Sequence, residues 1–293
     1  MKELRFYYPM PRFPPVSVTG SHCELRCSHC RGHYLGHMPD VSRPEKLRDF
    51  CVAHEKVGGV GVLISGGSNR EGRVPLGPFL RTITWVKENT GLIVNLHTGM
   101  LDNVEAQDVA STGADIVSVD VVGSDETLRE VYGLRTSVEE YNATLIHLMD
   151  ASVPHVAPHI CVGLHYGKVI GEYRALKIAV GIDPEVIVFL GLIPTEDTPM
   201  ADVPPPAPSE INGLMNETKR LRPRIDVSLG CMRSREKKAE LDWAAIEAGA
   251  DRVALASRST EIKVQEAGYR IIRLDGCCAT PRSLEGRLLR SQG

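Results

Sequence analysis

The sequence has no apolar run near the roughly 20 residues that span a bilayer. Its opening residues, MKELRFYYPMPRFPP, hold no apolar core of the signal-peptide kind and are broken by prolines. Charge of one sign is also lacking: 34 Lys and Arg against 37 Asp and Glu leave a net charge of −3, too slight to grip nucleic acid or an acidic membrane surface. These absences lead us to expect a cytoplasmic protein with neither nucleic acid nor membrane as partner. What is present is a 293-residue chain, 42% apolar, long enough for one large core and without a composition break that would divide it. In a cytosolic chain of this length, eight clustered cysteines point to metal binding or catalysis rather than to a disulfide framework.

Short β-branched runs alternate with amphipathic stretches along the chain. Strands are expected at 15–20, 60–66, 92–99, 116–123, 155–164, 186–194, 225–231 and 252–257, with helices near 43–57, 76–89, 103–112, 125–149, 170–180, 209–221, 235–248 and 259–267. Nearly continuous apolar strands alternating with helices imply a parallel sheet covered on its outer face. Eight such units fit an α/β fold of the (β/α)8 TIM type, with a partial six-unit barrel as the fallback. The barrel would span 15–268, between an N-terminal arm (1–14) and a C-terminal tail (269–293) holding Cys277 and Cys278. In such barrels chemistry sits where strands end. The polar residues here follow that rule, from the cysteine loop after the first strand to Ser257 after the eighth.

That first loop reads SHCELRCSHC, so Cys23, Cys27 and Cys30 stand in a C-x3-C-x2-C spacing. Thiolates are the usual ligands of iron–sulfur clusters, and three of them leave one iron of a cubane open to a small molecule. Zinc is the other reading of the same loop, because His22, His29, His33 and His37 crowd it. Of the remaining cysteines, Cys51 lies mid-helix on an apolar face and reads as a small hydrophobe. Cys161 follows His159 by two, which puts both on one face of the fifth strand. Cys231 ends the seventh strand, and the Cys277-Cys278 pair lies in the tail, which would fold back over the barrel mouth. Thiolates from these separate segments are candidate ligands of a second [4Fe–4S] cluster; the competing reading is core packing at Cys161 and an incidental pair in the tail.

The triad, its placement after the first strand, and the ISGGSN turn after the second resemble the radical S-adenosylmethionine superfamily. Along nearly its full length the chain resembles a mainly archaeal family of biotin-synthase homologues. The resemblance rests on SVTGSHCELRCSHCRGHYLGHM, ISGGSNREGRVPLGPFL, NLHTG, DVVGSDETLREVYGL, PHICVGLHYGKVIGEY, LIPTEDTPM, LGCMRSR and the late Cys-Cys. It implies that Cys23, Cys27 and Cys30 hold a [4Fe–4S] cluster whose open iron binds S-adenosylmethionine. It also implies that Gly66 and Gly67 cradle the methionine group, that Ser118 and Asp120 meet the ribose, and that Thr198 and Pro199 lie near the adenine. An acidic residue usual after the glycines is absent here. The resemblance further implies a sulfurtransferase, one subunit of a two-protein lipoyl synthase acting on the octanoyl-lysine of a lipoyl-carrier protein. Its partners would then be the second radical enzyme subunit and a ferredoxin or small-molecule electron donor, and sulfur would come from an auxiliary [4Fe–4S] cluster drawn from Cys161, Cys231, Cys277 and Cys278. The alternatives are a lyase, mutase, methyltransferase or biotin-synthase-like enzyme on another small substrate, or a non-enzymatic zinc-binding scaffold.

Overall fold

The eight expected strands all form in the computed structural model, which describes residues 2–289. They are β2 (Pro15–Ser17), β3 (Gly61–Ser65), β4 (Ile93–His97), β5 (Ile116–Asp120), β6 (Val156–Val162), β7 (Val186–Gly191), β8 (Asp226–Leu229) and β9 (Arg252–Ala254). The arm and tail add two more, β1 (Glu3–Tyr7) and β10 (Arg270–Leu274); residues 1 and 290–293, the extremities of those two segments, lie outside the described residues. All ten run parallel in one sheet, ordered β10-β1-β9-β8-β7-β6-β5-β4-β3-β2. The sheet curls into an α/β half-barrel, and among the described residues no ladder joins its edges β2 and β10. Among the described residues no helix is long and apolar enough to cross a membrane.

The helices are α1 (Pro44–Lys56), α2 (Leu80–Asn89), α3 (Asn103–Ser111), the single turn α4 (Asp125–Thr127), α5 (Val138–Asp150), α6 (Glu172–Gly181), α7 (Pro208–Leu221), α8 (Lys238–Glu247) and α9 (Arg258–Glu266). One expected helix, 125–149, is in fact broken. After α4 the chain makes a π-turn over Leu128–Tyr132, and Gly133 leaves it at φ 74°. Ser137 then starts α5 with a capping box, its hydroxyl accepting from Glu140 N while the Glu140 carboxylate accepts from Ser137 N.

Strand alternation divides the core in two. Val94, Leu96, Val117, Val119, Ile160, Val162, Ile187 and Phe189 face the helices, whereas Tyr7, Ile93, Ile116, Ala157, Val186, Val188 and Ala254 pack together inside the curl. The tail fills that interior. Leu274, Cys278, Ala279 and Leu288 join the inner cluster, against Ile93, Ile116, Ala157 and Val186 from the strand starts and Tyr7 and Ala254 from the ends of β1 and β9. The tail therefore plugs the barrel from within and does not close over its mouth as expected. An ion network holds it there. Arg252, fully buried, donates to Asp226 Oδ2 at 2.9 and 2.7 Å and to the carbonyls of Cys278 and Thr280, and it lies 5.8 Å from the Tyr7 ring. Arg282 closes on the other face of Asp226 at 2.6 and 2.9 Å.

Truncating Arg252 would leave Asp226 buried with only the half-exposed Arg282 for a partner, and two carbonyls without donors. Removing one member of a buried ion pair costs about 3–5 kcal/mol. Arg252→Met is expected to lower unfolding free energy by that order in a denaturant melt; an unchanged midpoint would show that the network does not hold the plug.

Candidate active site

The triad loop is fixed by its two neighbours. Glu24 N and Leu25 N donate to Ser68 O at 2.9 and 3.3 Å, and Ser28 N donates to Val131 O at 2.8 Å. Thr19 links the loop to the glycine pair, its hydroxyl accepting from Gly67 N at 2.7 Å and donating to His22 O at 2.8 Å. Cys30 N and Arg31 N both turn back to Cys27 O, with Arg26 and Arg31 in left-handed conformation at φ 45°. Gly67 allows the closest contact: a methyl there would stand 2.0 Å from His22 O and 2.6 Å from Cys23 Cα. That glycine is needed for the approach of another backbone, whatever else it does.

All three cysteines line one cavity of about 890 Å3, together with Ser65, Gly66, Gly67, Asp120 and His97. Tyr34, Tyr132 and Tyr141 complete an aromatic wall. Cys27 and Cys30 share a hydrogen bond that pushes the Cys27 thiol far up and draws Cys30 down to about 4, the latter helped by His29. His29 Nδ1 is buried without a hydrogen-bond partner. A donor set of three convergent thiols, a partnerless buried nitrogen and a cavity behind them fit a cluster with a bound small molecule, each thiol serving a different iron.

Asp120 ends β5 inside this cavity, 3.6 Å from His97 Nε2. Burial would raise its carboxyl, but the neighbouring His97 and His159 hold it at about 2. Burial likewise opposes the charge on His97, yet Asp120 raises it above the ordinary imidazole value, while burial and His97 push His159 down to about 4. Asp120 and His97 are each about a third exposed although ringed by protein, as expected in the wall of a solvent-filled lumen. Ser118, on the same face, lies deeper and donates to Asn95 Oδ1 at 3.0 Å; it does not line the cavity. Thr198 and Pro199 do not line it either. The Thr198 hydroxyl donates to Thr195 O at 2.7 Å, and that loop meets the triad through Thr195 Oγ1 and Tyr34 OH, 2.8 Å apart.

The second set of cysteines divides. Cys277 and Cys278 influence each other directly as neighbours, and Asn95 Nδ2 reaches Cys277 Sγ from β4 at 3.7 Å. Cys231, in the exposed turn after β8, is surrounded by enough protein, with Cys278 beside it, that its thiol is raised above the ordinary value. Cys161 faces inward as alternation requires, but packs with Cys27, Cys30 and Leu164 at the triad end. Cys51 is fully buried in α1, and burial raises its thiol to about 12, in keeping with a packing role. Sequence reasoning did not pick out Tyr34, Tyr132 or Tyr141; the first two sit in SVTGSHCELRCSHCRGHYLGHM and DVVGSDETLREVYGL, but no spacing rule marks an aromatic wall.

No family model matches the chain. It is 26% identical over 249 residues to a biotin synthase of Synechococcus sp. (strain CC9311), covering 81% of this chain and 73% of that one. A biotin synthase of Prochlorococcus marinus is also 26% identical over 249 residues, covering 81% and 72%. With the triad placed at the barrel mouth, these likenesses support membership of the radical S-adenosylmethionine superfamily. Such membership implies a [4Fe–4S] cluster and S-adenosylmethionine. Among solved structures, methylornithine synthase (PylB) superposes with a TM-score of 0.61 at 16% identity, over 92% of this chain and 84% of that one. HydG, a maturase of the [FeFe]-hydrogenase, gives 0.65 at 14% identity, over 94% of this chain and 65% of that one. These two speak to the shared barrel fold.

The Asp120–His97 pair makes a checkable statement about pH. A depressed carboxyl contributes above its unfolded value and loses that contribution only as pH falls toward about 2; a raised imidazole contributes below its unfolded value and loses it as pH rises through the folded one. The pair is therefore strongest between those limits. In Asp120→Asn only the burial effect remains on His97, so its midpoint should drop below the ordinary imidazole value in a histidine NMR titration. An unmoved midpoint would show that the two side chains are not paired in solution.

Proposed function

We propose that the chain is a sulfur-inserting radical enzyme, one component of a two-protein lipoyl synthase acting on protein-bound octanoyl-lysine. The observation that supports it is that Cys277 and Cys278 enter the barrel interior apart from the triad, with Cys231, in the exposed turn after β8, within electrostatic reach of them. In this reading the three thiols are the donors of an auxiliary cluster, and their mutual electrostatic influence is what supports grouping them. Arg252 fixes this set by holding the carbonyl of Cys278.

In this reading Cys23, Cys27 and Cys30 hold the reducing cluster, and Gly66 and Gly67 present backbone groups to the methionine part of S-adenosylmethionine. Asp120, kept ionised, accepts from the ribose hydroxyls. Tyr34, Tyr132 and Tyr141 exclude bulk water from the pocket. Bound there, the pair of cofactors would supply one-electron cleavage of the sulfonium, a radical route to an unactivated C–H bond that no side-chain base could open. Arg26, Arg31 and Arg70 edge a groove on the outer side of Cys23 and suit an acidic electron donor of the ferredoxin kind. A second reading, a biotin-synthase-like enzyme on another small substrate, is favoured by the 26% identity to biotin synthases.

Protein purified without oxygen should hold about eight irons per chain. Cys231→Ala should lose about half of them and stop sulfur transfer to an octanoyl-lysyl peptide in the presence of the partner subunit, while S-adenosylmethionine cleavage continues. Four irons in the unaltered protein, or sulfur transfer that survives the substitution, would refute the sulfur-donor assignment. Sulfur added to a different small molecule, with the octanoyl peptide untouched, would favour the second reading.

A further inference from the structure

The turn after β6 carries a histidine that the triad chemistry leaves without a task. His165 is 8% exposed and sits in a tight turn closed by Gly167 N to Gly163 O at 2.8 Å and Lys168 N to His165 O at 2.9 Å. Its Nδ1 meets the Thr127 hydroxyl at 3.2 Å. Its Nε2 makes no hydrogen bond among the described residues and points between two carboxylates, 3.9 Å from Glu126 Oε1 and 3.9 Å from Glu130 Oε2. The three ligand atoms all lie within 4.8 Å of one another, and no other group of three such side chains among the described residues converges in this way.

A spacing of 3.9 Å is too long for a hydrogen bond. It suits two ligands of one ion: donors each about 2.1 Å from a metal lie about 3.4 Å apart at a tetrahedral angle and about 4.2 Å apart when opposite. The orienting contact is also of the kind that metal-bound imidazoles have, with the second ring nitrogen held by a neighbouring oxygen. The backbone supplies the rest. Glu126 belongs to α4 and Glu130 to the π-turn Leu128–Tyr132, the segment that replaces the expected continuous helix. The other oxygen of Glu130 accepts from Arg129 at 3.2 Å, which leaves Oε2 for an ion.

We propose that Glu126, Glu130 and His165 bind a first-row divalent cation, of the zinc or manganese(II) kind, on the rim of the barrel. One imidazole with two carboxylates favours such an ion over magnesium or calcium, which seek oxygen alone. Three protein ligands leave at least one position for water. The ion ties the turn after β5 to the turn after β6. The triad loop hangs on the first of these, through Ser28 N to Val131 O and Ser28 Oγ to Glu130 O at 3.2 Å. It would thus brace the loop that carries Cys27 without touching the cysteines, and the proposal does not depend on sulfur insertion.

The test uses the full chain with its iron–sulfur sites filled and oxidised. Manganese(II) is the probe because it prefers oxygen and imidazole to thiolate, and its binding is read from the loss of the free-ion EPR signal. One manganese per chain is expected, with Glu126→Gln and His165→Ala each weakening binding at least tenfold while iron content stays unchanged. Glu126 is exposed, so its substitution keeps the test valid if His165→Ala fails to fold. No bound manganese, or binding undiminished in Glu126→Gln, would overturn the proposal.

Discussion

The contact on which the site depends is the one between Gly67 and the backbone at His22 and Cys23. Only a residue without Cβ lets the loop after β3 lie against the triad loop, with Gly67 N bonded to Thr19 Oγ1. The contact turns a cysteine spacing into a surface, because it sets three thiols in the wall of the same cavity that Asp120 enters from β5. If the two loops moved apart, neither the donor set nor the cradle would remain.

The second constraint is the filling of the barrel. A curled parallel sheet must put side chains inside, and in this chain the inward positions change character along the strands. Ile93, Ile116, Ala157 and Val186 at the strand starts are apolar and receive the tail. Asp120, His97 and His159 further along are polar and remain partly wetted. The plug at one end and the lumen at the other follow from this gradient. Arg252 and Asp226 fix where the plug stops, and thereby how far into the barrel Cys277 and Cys278 reach.

Much of this was legible in the sequence. Apolar runs with glycine after the helices located all eight inner strands, β2 to β9. The triad and the Gly66-Gly67 pair were legible because each needs a local arrangement that only certain residues permit. The strands at the two ends were not: RFYY runs straight into a proline-rich stretch and RIIRL carries two arginines in five residues, so neither reads as a buried parallel strand until β1 lies between β9 and β10. The break at Gly133 was hidden because the apolar period continues on both sides of it. The separation of Cys161 from Cys231, Cys277 and Cys278 was invisible for a different reason. It is set by which end of the lumen each segment enters, a long-range property that the tail's ion pairs decide.

The central claim is that the triad carries a cluster with an open iron facing the Gly67–Asp120 cavity. The most direct measurement is the EPR spectrum of the dithionite-reduced protein before and after addition of S-adenosylmethionine labelled with 15N at its amino group, followed by electron–nuclear double resonance. The account predicts a changed cluster signal with hyperfine coupling to that nitrogen. A reduced-cluster spectrum indifferent to S-adenosylmethionine, with no coupling to the label, would contradict it.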